Sequence, residues 1–209
     1  DSGVINGTVD GLQQAFGSTK AGLGFEVASM LLGCAVGAFS AGRLADSLGR
    51  RNVLIISAVL FLLSAIGAGA ATSSVVFVIA RVIGGFAVGA ASVISPAYIA
   101  EVAPARYRGR LATVQQIAII SGLTAAFLSN YLLAAKAGAS TEALWGGHAA
   151  WRWMFWMQAV PSLVFLALLL VIPESPRYLV VKRRKDEALR VLTRLFGGAE
   201  AQAKLAEID

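Results

Sequence analysis

Charge-poor apolar runs of about 20 residues recur along this chain, and about 20 is the number an α-helix needs to cross the hydrocarbon core of a bilayer. The runs fall at about Gly22 to Ala41, Val53 to Ala71, Val75 to Ala100, Leu111 to Ala135 and Trp151 to Ile172, with short charged punctuation between them. That spacing predicts a polytopic helical membrane protein. Composition agrees, since 57% of the residues are apolar and 14% charged, against about 25% charged in ordinary soluble domains. The 22 glycines would weaken soluble helices, but in lipid small residues let helix backbones approach closely. Cys34 lies alone inside an apolar run, so it forms no intramolecular disulfide and reads as core packing.

Asp1 to Phe16 is too short and too polar to cross a bilayer by itself, although Gly3-Val4-Ile5 could end a helix; the segment reads as a truncated first span. Basic residues then mark alternate loops. Arg43, Arg50 and Arg51 share one loop, Arg106, Arg108 and Arg110 the next but one, and Arg177 with Lys182 to Lys185 follow the last span, whereas the opposite loops hold only Lys20 and Lys136. The positive-inside rule makes the basic faces cytoplasmic, so the first span runs outward. The net charge of +6 is explained by this topology. Basic residues interleaved with exposed stacking aromatics are missing, and a nucleic-acid partner is not expected. Beyond Pro173 the chain turns charged, with Leu189, Leu192, Leu195 and Phe196 at helical spacing and Gly197-Gly198 to end the helix. Residues 1–172 are therefore expected to form the membrane bundle and 173–209 a cytoplasmic helical segment lying against the bundle or the lipid headgroups.

The decapeptide Gly42-Arg43-Leu44-Ala45-Asp46-Ser47-Leu48-Gly49-Arg50-Arg51 reads as a tight glycine-flanked turn with an acid among three arginines. Its acid can pair with arginine and with the amino-terminal end of the next helix, forming a latch between helices; a merely topogenic loop is the alternative. This decapeptide resembles the loop signature of the major facilitator superfamily. Pro173-Glu174-Ser175-Pro176-Arg177 resembles the signature of its sugar porter family, and the stretches Arg81 to Gly89 and Tyr98 to Gly109 are similar to that family's fourth span and the loop after it. The resemblance implies an all-α, major-facilitator-type six-helix amino-terminal bundle, to be completed by a carboxy-terminal six-span half that this chain does not contain. It also implies monosaccharide transport by alternating access, coupled to protons, in a bacterial plasma membrane. A passive facilitator and a non-transporting sugar sensor remain the alternatives.

Arg81 lies inside an apolar span, where an arginine at the helix centre costs about 2.5–3.5 kcal/mol on an insertion scale. It needs a partner or a watery cavity, unless it snorkels or serves structure alone. By the topology above, two acids, Asp1 and Glu26, are expected near the outer half of the membrane. The resemblance implies that Asp1 is the proton-coupling partner of Arg81, while Glu26 reads as an interfacial acid near Lys20. Gln115 and Gln116 offer donors and an acceptor suited to sugar hydroxyls or to an interhelical hydrogen bond. The resemblance assigns Gln116 to the sugar site and leaves Leu123 where some members carry a second glutamine. It further implies that Asp46, Arg50, Glu101, Arg108, Glu174 and Arg177 form a cytoplasmic gate; solvated charges are the alternative, each pair being worth about 0–1 kcal/mol. Trp151 to Trp156 reads as aromatic-belt anchoring and His148 as a loop residue. Neither a metal-binding nor a hydrolytic constellation stands out, so no metal, no cofactor and no enzymatic activity are expected, and the partners expected are sugar, proton, lipid and the other half of the transporter.

Overall fold

The computed structural model describes residues 2–208, except for the side chains of residues 2, 3, 6, 105 and 199. Asp1, the sequence candidate for proton coupling, lies outside the described residues. Ten helices follow in order: α1 (Ser2–Phe16), α2 (Lys20–Leu48), α3 (Arg50–Ala70), α4 (Ser74–Val102), α5 (Ala105–Ala137), α6 (Ala150–Trp156), α7 (Ala159–Val171), α8 (Pro176–Val181), α9 (Lys185–Phe196) and α10 (Gly198–Ile208). Four of them, and the pair α6–α7 taken as one 22-residue segment, are long and apolar enough to cross a membrane. The five apolar runs are thus all helical, but the helices outrun them because the charged ends stay wound beyond the hydrocarbon.

Three local features depart from the sequence reading. The decapeptide is not a turn flanked by glycines: Gly42 lies inside α2, and the chain breaks at Gly49 alone, with φ 97°. A single residue in that positive-φ region re-aims the chain, and α3 starts at once. The sixth span is interrupted at Met157 and Gln158, where Gln158 N–H donates to Phe155 and Val160 N–H to Met157, each three residues back. Pro161 explains this, since it has no N–H and its ring would clash with the Met157 carbonyl in a regular helix. The segment Ser2–Phe16 is one continuous helix, so Gly3-Val4-Ile5 lies in a helix that runs on to Phe16 and does not end there.

The tightest contact joins α2 to α4. A Cβ on Gly33 would overlap the carbonyl oxygen of Val82, and one on Gly37 that of Phe86; reciprocally, Gly85 would meet the carbonyl of Met30 and Gly89 that of Cys34. Two Gly-x-x-x-Gly ridges therefore lie backbone to backbone, which side chains of any size would forbid. Around this seam one core gathers Leu12, Phe77, Trp151, Met154 and Phe155, and a second gathers Ala45, Leu54, Ala90, Ile94 and Leu169. Trp151 is 2% exposed, held against Phe16 and Phe155. It is a core residue and not part of an aromatic belt, because Gly11 leaves space for its indole. The opposite helix faces expose Leu31, Phe39, Ile79 and Leu168, the inverse of a soluble surface and the expected one for lipid.

Replacing Gly85 by valine should overpack the α2–α4 seam and destabilise the protein by at least about 1–3 kcal/mol, read as a lowered melting temperature in detergent. Gly42→Ala, whose Cβ meets nothing within 4 Å, should be neutral or stabilising.

Candidate functional site: a buried arginine and a charge cluster

Two turns from the start of α4, Arg81 is 2% exposed, and its guanidinium carbon lies 5.8 Å from the centroid of the Phe155 ring. Phe77, one turn earlier and fully buried, stacks against both Phe16 and Phe155. The cation is therefore sealed beneath an aromatic layer, with a favourable ring face beside it. Exposure to bulk water is not what maintains its charge, and the snorkelling alternative does not fit this burial.

Glu26 is not the interfacial acid expected beside Lys20. It is 1% exposed, and one of its carboxylate oxygens accepts from Ser18 Oγ at 2.6 Å and from Ser74 Oγ. It ties the α1–α2 turn to the start of α4, and its apolar neighbours in sequence concealed that role. Asp10, on the exposed side of α1, is a further acid the sequence reading passed over.

At the opposite end of the bundle, the charges predicted to cluster are partly drawn together. Arg50 bonds Asp46 at 3.1 Å and Glu101 at 3.3 Å, and it also donates to the Ala45 carbonyl. The Asp46 side chain is 75% exposed, so the pair that matters is Arg50–Glu101, whose side chains are 17% and 14% exposed. Arg50 Nε reaches both oxygens of Glu101, and Ser175 Oγ donates to Oε2. The acid that caps α3 is Glu174 and not Asp46: Oε1 accepts from Arg51 N at 3.0 Å and from Ser175 N at 2.8 Å. Arg51 in turn donates to the Leu169 and Leu170 carbonyls, two of the orphan acceptors at the end of α7. Tyr98 OH donates to Pro173 O and Tyr178 OH to Ser47 O. Arg108 and Arg177 stand apart from these pairs, lining a cleft of about 480 Å³ with Glu101, Lys204 and Glu207. Ser175 was legible as a helix cap, since it precedes Pro176 and accepts from Tyr178 N; its bond to Glu101 was not.

Gln116 lies on the exposed side of α5 and Gln115 is half-buried. Leu123 is 43% exposed and borders a largely apolar cavity of about 740 Å³ between α5 and the α6–α7 break. Gln158 lines the same cavity, 7% exposed, with no hydrogen-bond partner for Nε2 among the described residues. Sequence reasoning missed it, although a lone amide in an apolar span three residues before a proline is an available signal.

The family model for sugar (and other) transporters matches residues 1–209. The chain belongs to the sugar transporter family. Its similarity to a glucose transport protein of Synechocystis sp. is 48% identity over 210 residues, covering 100% of this chain and 45% of that protein. An arabinose-proton symporter of Bacillus subtilis is 37% identical over 209 residues, covering 100% and 44%. Among solved structures, the major facilitator superfamily proton:xylose symporter XylE of Escherichia coli, bound to 6-bromo-6-deoxy-D-glucose, superposes with TM-score 0.90 at 37% identity, covering 99% of this chain and 48% of that one. The chain spans about half the length of the curated relatives it matches. Family and superposition together establish a multi-pass, all-helical membrane protein with the fold of the amino-terminal half of a major-facilitator transporter. Members of the sugar transporter family are transporters, which fits the absence of a hydrolytic constellation in the sequence.

Within this sugar transporter fold, the Arg50–Glu101 cluster makes a direct prediction. A double-mutant cycle of Arg50→Gln and Glu101→Gln should give a coupling energy within the range of about 0.5–3 kcal/mol found for residues in contact, measured by denaturant unfolding in detergent. Independent effects would mean that the pair contributes nothing measurable. Separately, Gly49→Ala should destabilise the fold, because it strains a positive-φ residue and drives a Cβ into the Glu174 carboxylate that caps α3.

Proposed function

We propose that the protein of which this chain is a part carries a monosaccharide, hexose or pentose, across the bacterial plasma membrane by proton-coupled symport with alternating access. The observation that carries the reading is the burial of Arg81 in an apolar helix of a chain whose relatives include sugar-proton symporters. A permanently charged side chain held away from water is kept at a cost, and it gives a neighbouring carboxyl a reason to change its proton affinity as the helices move. Asp1 is the proposed carboxyl: it takes a proton from outside, its attraction to Arg81 weakens, and the bundle is released to rock.

Gln116 is the proposed sugar contact. Its place on the exposed side of α5 suits a surface that another six-helix half would cover, with sugar held near the midplane between the halves. The cluster of Asp46, Arg50, Glu101 and Glu174, together with Arg108 and Arg177, is proposed to close the cytoplasmic side. Its bonds are individually weak, and their value lies in breaking together when that side opens. This assignment places the basic loops and the α8–α10 segment in the cytoplasm, as the distribution of arginines favours.

In proteoliposomes holding the complete transporter, Asp1→Asn should abolish sugar accumulation driven by a proton gradient while sugar-for-sugar exchange persists. Arg81→Gln should impair both. Unchanged accumulation in Asp1→Asn would instead move the coupling carboxyl elsewhere, whereas a wild type that only equilibrates sugar would be a passive carrier. Gln116→Ala should raise the sugar KM by roughly tenfold, as expected when about 1.5 kcal/mol of hydrogen bonding is lost.

A further inference from the structure

The stretch 182–194 carries six basic and two acidic side chains. Its helix α9 presses Ala188 and Leu192, both buried, against its neighbours. That packing turns Arg190, Val191 and Arg194 toward Pro173, two residues past the end of α7, across a cleft of about 250 Å³ that Glu187 also lines. Glu187 is engaged chiefly by Arg184, which bonds both of its oxygens at 2.7 and 2.6 Å. The same contact holds the Glu187 carboxyl below its ordinary pKa. Arg190 donates Nε to the Asp186 carbonyl, and neither it nor Arg194 is within ion-pair distance of a carboxylate among the described residues.

We propose that this cleft binds the phosphate of an anionic phospholipid headgroup. Pro173 marks the level at which the last span leaves the hydrocarbon, so the cleft opens where headgroups lie. Arg190 and Arg194, one turn apart, offer two forks of N–H donors suited to the oxygens of a phosphodiester. Val171, 79% exposed, and Leu170, 59% exposed, lie just before Pro173 and provide apolar surface along which an acyl chain can run. A soluble phosphate would use the arginines but gain nothing from that surface, so charge and position together favour a lipid. The inference rests on the multi-pass membrane assignment and not on the identity of the sugar or on proton coupling, so a failure of symport would leave it standing.

The test uses the complete transporter in nanodiscs containing equal parts phosphatidylglycerol and phosphatidylcholine, with retained lipid counted by native mass spectrometry after release into detergent. The wild type should retain phosphatidylglycerol over phosphatidylcholine. The double variant Arg190→Gln, Arg194→Gln should lower that retention roughly thirtyfold, as the loss of two cations near a lipid surface implies. Arg190→Lys with Arg194→Lys should keep most of it, and Arg43→Gln with Arg110→Gln, an equal charge loss away from the cleft, should keep it too. Equal retention of the two lipids by the wild type would overturn the proposal, as would an equal loss in the Arg43 and Arg110 control. Displacement of the lipid by millimolar inorganic phosphate would assign the cleft to a soluble anion and overturn it likewise. If the Gln variant fails to fold, wild-type selectivity and phosphate competition still decide.

Discussion

The bundle is organised by the contact in which the glycines of α2 and α4 meet backbone to backbone. Lipid tails are as apolar as leucine, so burying side chains between helices gains little there, and close packing must supply the attraction. Gly33 and Gly37 on one helix and Gly85 and Gly89 on the other remove every Cβ that would hold the backbones apart. Because the contacts alternate along both helices, their relative height is set as well as their separation. That register places Arg81, one turn before Gly85, in the interior of the bundle at the level of Phe155. The same register places the Glu101 end of α4 beside the Arg50 start of α3.

From this seam the two ends of the bundle are finished by different chemistry. The end bearing Ser74 is closed by rings, Phe16, Phe77, Trp151 and Phe155 in edge contacts, and by the buried Glu26 carboxylate between two serines. The other end is closed by polar groups that cap helices: Glu174 on α3, Arg51 on α7, and Arg50 between α2 and α4. An apolar plug resists water, whereas a set of capping bonds can be exchanged for water at modest cost. This asymmetry suits a gate on the side with the capping bonds and a sealed coupling site on the other.

The sequence was most informative where one physical term dominates. Apolar runs of membrane-spanning length revealed the spans, and four ordered motifs revealed the family. It was least informative where a side chain's role depends on a residue far along the chain. Glu174 caps α3 by accepting from Arg51 N, 123 positions earlier, and nothing near Glu174 announces this. Asp46 looked like the cap because it is local, yet its side chain is largely in solvent. Trp151 looked interfacial because it opens a span, but Gly11, 140 residues away, makes room for it inside. Glu26 looked interfacial for its nearness to Lys20, while its partner Ser74 waits on another helix. Pro161 did carry a local signal for the break in the sixth span, which its apolar neighbours masked.

Sugar movement through the complete protein is proposed to be tied to protons by a carboxyl beside the buried Arg81. The most direct measurement adds sugar to cells or proteoliposomes containing the complete wild-type transporter in weakly buffered medium and records external pH and sugar uptake together. The medium should turn alkaline in step with uptake, and a protonophore should abolish both accumulation and the pH change while leaving downhill equilibration. Uptake with no accompanying proton movement, unaffected by the protonophore, would contradict it.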